Sequence, residues 1–407
     1  MGSAGDVHPF IGVGKALQAR GHEVFMITSA FFEPLAQRAG IEFRAVGTAE
    51  DFIRVQDDPN LWHPRKAFET LVHKALNYSY EPILQHAREL HKPGETVMLA
   101  GSLAFGTRNA RELLDIPLAT VHLAPALFIS TYRQPMLHGA PFGQWAPRFL
   151  KRFQWWVGGK VADHHILPGL NRFRHEHGLA PVRDIIRDWW HSPDRVIGLF
   201  PEWFGPPQPD WPKQTVLTGF PLFDEKGLRE VPPGLEEFLQ AGEPPVVFTP
   251  GSAMAHGHEF FEEGVKALEL SGRRGLLLSR FPETVPKRMP ESVRHFEYVP
   301  FSEVLPRSAA LVYHGGVGTC AQALRAGIPH LVQHMAHDQL DNLSRVRDLG
   351  VGDGLAPKQF KARRIAKVLD ELLGNPETIR RAEQVAQRFD AEAWMRRTCE
   401  LVEALSK

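Results

Sequence analysis

Cysteine is nearly absent. The 407-residue chain has two, Cys320 and Cys399, far apart and outside any CxxC spacing. That excludes a disulfide framework and a cysteine zinc site and fits a reducing compartment. Charge of one sign is absent too. Lys plus Arg number 47 and Asp plus Glu 47, so no overall field draws the chain to nucleic acid or to an anionic membrane. No apolar run approaches the ~18 residues of a membrane span, and no secretory leader is visible. A cytoplasmic protein is expected, with any membrane contact peripheral, at the inner membrane. What is abundant is length and aromatic surface. The length exceeds one typical core and predicts two domains, and 26 Phe and 9 Trp are present.

Short apolar runs recur along the chain with helical patterns between them. Phe10, Val13 and Leu17 mark a helix over Pro9–Arg20, stopped by Gly21, and Val24–Ile27 follows as a buried strand. Further runs at Thr96–Leu99, Leu118–Leu123, Arg195–Phe200 and Thr215–Thr218 complete one series. A second covers Pro245–Thr249, Gly275–Leu278, His295–Val299, Leu311–His314, His330–Val332 and Val351–Leu355. Strands alternating with helices predict parallel, doubly wound sheets. The fold class is α/β, with two Rossmann-like domains facing a cleft. The Pro- and Gly-rich segment from Phe220 to Gly234 reads as a linker. The domains are then residues 1–222 for the acceptor, 223–384 for the donor, and a helical 385–407 packing back on the first, within a helical stretch from Ala382 to Ala404. Gly2-Ser3-Ala4-Gly5-Asp6 reads as a glycine turn that should follow a strand, yet only Met1 precedes it. The first, central strand is expected to be missing, through a late start codon or a truncated gene.

The most informative stretch is Tyr313-His314-Gly315-Gly316-Val317-Gly318-Thr319. It sits between an apolar strand and a helix running to Ala326. Glycine there lets the backbone approach a ligand, and the free amides of a helix's first turn favour an anion. Asp338, Gln339 and Asn342 follow the next strand; a carboxylate beside an amide suits sugar hydroxyls. Diphosphate and sugar together describe a nucleotide-sugar donor. A turn of this kind also occurs simply to permit tight packing. His330, His334 and His337 cluster nearby, but metal binding would need i,i+4 geometry and a further ligand, and no metal is expected.

These residues resemble the UDP-glycosyltransferase superfamily. The likeness runs through Gly2-Ser3-Ala4-Gly5-Asp6-Val7, Arg20-Gly21-His22, Tyr298-Val299-Pro300, His314-Gly315-Gly316, Ala326-Gly327-Ile328-Pro329 and Asp338-Gln339. Trp- and Pro-rich clusters, among them Asp210-Trp211-Pro212 and Gly219-Phe220-Pro221-Leu222-Phe223-Asp224, resemble the branch of the rhamnosyltransferase B subunits of rhamnolipid synthesis. The resemblance implies a GT-B type fold and an inverting, metal-independent transfer needing no cofactor. A hexosyl group passes from dTDP-rhamnose or a UDP-hexose to a hydroxyl of a hydrophobic or lipid-like acceptor. It places the base at Asp6, with His8 as fallback, and the diphosphate on His314 and the amides of Gly316, Gly318 and Thr319. Gly315 supplies the turn itself. Gly251 and Ser252 form a second phosphate contact, or an ordinary turn. Tyr298 and Val299 would meet the base, the tyrosine standing where the family has tryptophan. Asp338 and Gln339 take sugar hydroxyls, and Asn342 binds or braces. Asp6 would have to be partly desolvated to act, and it could instead cap the first helix.

The aromatic segment over Ala126–Val157 predicts either an apolar acceptor groove with a membrane-facing lip or a packed helix with long loops. Three other functions fit less of the chain. One is a non-catalytic donor-binding partner, crippled by the lost strand. The second is a UDP-sugar 2-epimerase on the same fold. The third is a nicotinamide oxidoreductase, which the absence of a GxGxxG turn disfavours.

Overall fold

Strands buried on both faces are read from unbroken apolar runs, and Val246–Thr249 and Ala310–Tyr313 are buried at every position. The computed structural model describes residues 2–62, 66–251 and 257–406. It divides into two compact units, one mainly Asp6–Pro221 with Ala391–Lys407, the other mainly Leu222–Asp390.

In the first unit β1 (Phe25–Thr28) pairs in parallel with β2 (Glu42–Ala45). Strands β3 (Met98–Gly101), β4 (Leu118–His122), β5 (Arg195–Gly198) and β6 (Thr215–Leu217) form a four-stranded parallel sheet in that order. Among the described residues no strand joins β1 to β3, so the unit's strands fall into two sheets. The first helix corrects the expectation of a turn up to Asp6. It spans Ala4–Gln18, so Asp6 lies in its first turn and Pro9 inside it. Pro9 has no N–H to bond the Gly5 carbonyl four residues back. Burial of Val7, Ile11, Val13 and Leu17 holds the helix there instead.

The second unit is one six-stranded parallel sheet of β7 (Val246–Thr249), β8 (Gly275–Leu278), β9 (Val293–Phe296), β10 (Ala310–Tyr313), β11 (His330–Gln333) and β12 (Gly352–Leu355). Its order is β12-β11-β10-β7-β8-β9. The chain winds one way from β7 and the other way from β10. Such a reversal opens a crevice at the carboxyl ends of the two central strands. Helices His258–Ser271 and Ala362–Leu373 bury Phe260, Phe261, Ile365 and Leu369 against Phe248, Leu277 and Val312.

Three further expectations change. β9 ends at Phe296, so Tyr298 and Val299 follow the strand. The segment after Phe220 carries the chain from one unit to the other at Pro221–Leu222, as expected of a linker, but it is packed structure and not a loose tether. The Asp224 carboxylate accepts from the Ser302 amide (2.7 Å), Lys226 pairs with Glu303 (2.8 Å), and Glu225, buried at positive φ, pairs with Arg229 (3.0 Å). The stretch over 382–404 is two helices, Pro376–Ala386 and Ala391–Glu403. They separate because their apolar contacts belong to different units. Val385 stays with the second. Cys399, Leu401 and Val402 pack with Val13, Leu17, Val121 and Ile197 of the first. Glu403 also binds Arg20 (2.6 Å) and His22 (3.0 Å), and Gly219 lacks a side chain where the Trp394 ring lies.

Candidate functional site

The parallel register sets Thr249 at the end of β7 beside Tyr313 at the end of β10. Two residues past the first is Gly251; one past the second is His314. The imidazole of His314 lies against both Gly251 and Gly316, and a Cβ on either glycine would overlap the ring. Gly251 and Gly315 also hold φ of +96° and +95°, the left-handed region that favours glycine. A Cβ on Gly315 would press on Val332 and Gln339. So Gly251, Gly315 and Gly316 are needed for close approach at a strand end.

His314 is half-buried, and its Nδ1 is enclosed without a hydrogen-bond partner. Burial first, and His337 second, push its imidazole down to about 4, so it is neutral near pH 7. Gly316 caps helix Val317–Ala326 with no side-chain hydrogen bond to the first turn. The amides of Val317, Gly318 and Thr319 therefore have no partner inside the helix, and Gly318 is exposed with open space beside it.

The second cluster enters from helix Gln339–Leu349. Asn342 is fully buried and donates to both the Gly315 carbonyl (2.9 Å) and the Asp338 carboxylate (2.8 Å). Both donors are committed, so Asn342 braces the glycine turn to Asp338, while its Oδ1 is buried without a hydrogen-bond partner. Gln339 is buried, and its Oε1 accepts from the amides of Met335 (2.6 Å) and Ala336 (3.0 Å). Only its NH2 end is left to meet a sugar hydroxyl. Asp341 and Arg345 form a buried pair on the same helix (2.7 Å). His337, just before Asp338, is exposed at φ +54°, a conformation that clusters at ligand sites. His330 accepts or donates to Tyr313 across the core (3.2 Å), and burial pushes it down to about 3. It is a neutral core histidine.

Tyr298 is anchored through its hydroxyl to the Asp224 carbonyl (2.5 Å), and the Arg229 guanidinium lies over its ring, 4.6 Å from the centroid. One ring face is thus already covered, which narrows the expected stacking on a base to the other. Val299 is buried. Ser252 lies outside the described residues. Asp6 and His8 belong to the first unit; Asp6 is exposed and His8 half-buried. The partial desolvation expected of Asp6 is not present in the free protein.

Reasoning from sequence missed two groups. Asp224 and Arg229 support Tyr298; the only signal was the Gly219–Asp224 cluster, read as a family marker. In the first unit Ser102 Oγ lies 2.8 Å from His122 Nδ1, and His122 Nε2 lies 3.0 Å from His191 Nδ1. Burial, then His191, holds His122 well below the usual imidazole range. Burial, then Arg108, pushes His191 down to about 4. No local spacing joins residues 102, 122 and 191.

The aromatic segment resolves into a long helix, Arg148–Glu176, and the loop before it. Its aromatics divide. Phe128 is buried on Trp211 (4.3 Å, stacked), while Trp145 is 76% exposed, Phe149 68% and Phe153 56%.

Residues 281–405 match the family model of the erythromycin biosynthesis protein CIII-like C-terminal domain. Residues 1–108 match that of the glycosyltransferase family 28 N-terminal domain. O-mycaminosyltylonolide 6-deoxyallosyltransferase of Streptomyces fradiae is 31% identical across 99% of this chain and 95% of its own length. The chain belongs to the UDP-glycosyltransferase superfamily. This glycosyltransferase is also 25% identical to the sterol 3-beta-glucosyltransferase of Komagataella phaffii, across 96% of the chain but 33% of that protein. It therefore spans about a third of that relative. The glycotransferase of kitacinnamycin superposes with a TM-score of 0.75 at 20% identity, covering 99% of this chain and 96% of its own. The fold is thus GT-B, with parallel sheets in both units.

Proposed function

We propose that this glycosyltransferase moves a rhamnosyl- or glucosyl-type hexose from a nucleoside diphosphate sugar to a hydroxyl of a hydrophobic acceptor, with inversion and without a catalytic metal. The observation that carries it is the imidazole of His314 set between Gly251 and Gly316, beside the uncapped amides of Val317, Gly318 and Thr319. A buried polar atom without a partner is rare and points to a missing ligand, and helix-start amides suit a diphosphate. Asp338 and the NH2 of Gln339 take donor-sugar hydroxyls, Asn342 fixes Asp338, and Tyr298 with Val299 meets the base.

The reaction is one displacement. Asp6 accepts the proton of the acceptor hydroxyl, and His8 is the fallback. The acceptor oxygen bonds to the anomeric carbon as the carbon–oxygen bond to diphosphate breaks. The nucleoside diphosphate leaves with that electron pair. His314 and the helix amides stabilise its charge. A single displacement inverts the anomeric centre. The Streptomyces fradiae relative is named for a 6-deoxyallosyl group, which favours a 6-deoxyhexose such as rhamnose. The Trp- and Pro-rich clusters support a rhamnolipid-type branch.

The exposed aromatics of Trp145–Trp156 favour an apolar acceptor. Arg148 and Arg152 are exposed among them, with no acid from 145 to 162. Aromatics with cations suit the surface of an anionic bilayer, a peripheral contact. No described helix is long and apolar enough to cross a membrane. The test supplies dTDP-rhamnose or UDP-glucose with a hydroxy-fatty-acid conjugate and reads products by mass spectrometry and anomeric NMR. A conjugate of inverted configuration is expected. Retained configuration, or epimerised donor without a conjugate, overturns the reading.

A further inference from the structure

One histidine-rich cluster lies in the first unit, apart from the turn that carries the donor argument. Glu69 is on helix Ala67–Leu71, His73 on the π-helical turn Val72–Leu76, and His165 on helix Arg148–Glu176. One ligand atom from each lies within 4.8 Å of the other two. We infer that Glu69, His73 and His165 bind a divalent transition metal of the zinc class, bracing the 67–76 segment against the long helix.

The chemistry matches in four respects. Two imidazoles and a carboxylate are a donor set that zinc accepts, and three protein ligands leave a position for water. Glu69 and His73 stand four residues apart, on one helical face. The helix opens into a π-helical turn at His73, a distortion frequent at functional sites. The third ligand comes from a separate helix, so an ion here links two elements that are 92 positions apart in sequence, from His73 to His165. The rings of His73 and His165 already meet edge to face, centroids 6.4 Å apart, and Phe68 abuts His165 at 6.1 Å. Around a tetrahedral zinc with bonds of ~2.0–2.1 Å, ligand atoms lie about 3.4 Å apart. Glu69 and His73 are exposed and His165 half-buried, so the two exposed side chains can close the remaining distance without moving the core. Both cysteines are buried, and burial pushes Cys320 up to about 12, so thiolates do not compete. The inference is independent of the transfer reading.

The test titrates chelator-stripped full-length protein with zinc alone against a chromophoric competitor, with a thermal melt at each point. One equivalent is expected to bind and to raise the melting temperature. His73→Ala and His165→Ala should each weaken binding tenfold or more, ~1.4 kcal/mol, and abolish the melting shift. Glu69→Gln should weaken it less. His164→Ala, at an exposed neighbouring histidine, should leave it unchanged. If His165→Ala does not fold, His73→Gln at the exposed position carries the same expectation. Equal affinity in wild type and the His73 variants overturns the site. So does loss of binding on removing His164, or the absence of a bound equivalent at micromolar zinc. Nucleotide binding, measured alongside, should be the same with and without zinc.

Discussion

At the scale of the residue, the transfer reading rests on Asp6 and His314. Asp6→Asn keeps the shape and removes the proton acceptor. Turnover should fall by ~10²–10⁴-fold, with nucleotide affinity within twofold of wild type. Unchanged turnover, read in a steady-state assay, would move the base elsewhere, first to His8. The buried histidines bring a pH dependence. His314 and His191 stand at about 4 and His330 at about 3 in the folded chain, against the usual 6.5. Between 6.5 and about 4 the unfolded chain binds protons that the folded chain refuses. Stability is therefore complete above 6.5 and falls as pH drops through that window, by up to ~1.4 kcal/mol per pH unit for each histidine. Urea midpoints from pH 4 to 8 check this; a flat profile contradicts it. The glycine turn and His314 were legible from sequence because glycines at a strand end leave few physical alternatives. Asn342 as a brace was only half legible, since its partner Gly315 lies 27 positions away.

Elements were legible where burial is two-sided. β7, β8 and β10 are unbroken apolar runs because parallel strands are covered on both faces. β2 is Glu-Phe-Arg-Ala with both ends exposed, so no pattern marks it. The first helix was read too short because Gly2 to Gly5 resemble a turn, although burial of Val7 and Ile11 carries the helix back to Ala4. The 220–234 segment misled in its packing alone, for the opposite reason. Its Pro and Gly suggest a loose linker, while Asp224 and Glu225 fasten it through bonds that no periodicity records. The helix Gln339–Leu349 is the element that ties Asp338 to the glycine turn. Asn342→Leu should remove two hydrogen bonds and cost ~1–3 kcal/mol. It should also raise the donor KM several-fold, because Asp338 loses its fixed position. A stability loss with unchanged KM would reduce Asn342 to packing alone.

For the whole molecule, two units were legible from length and strand alternation. That the last helix packs on the first unit was expected from sequence; its start at Ala391 and its partners Val13, Leu17 and Arg20 are visible only in the folded chain. Deleting residues 391–407 should uncover those apolar groups. Each buried Leu or Val contributes ~1.5–3 kcal/mol, a large share of a marginal stability. The first unit should then lose its cooperative melt by calorimetry; an unaltered melt would show the helix to be dispensable. The measurement that bears most directly on the central claim is calorimetric titration of wild type and His314→Ala with dTDP and with UDP. Saturable binding of one nucleotide to the wild type, weakened tenfold or more in the variant at unchanged melting temperature, is the result expected of a donor site at the Gly251–His314–Gly316 turn. Equal affinity in the two proteins, or no binding of either nucleotide, would contradict it.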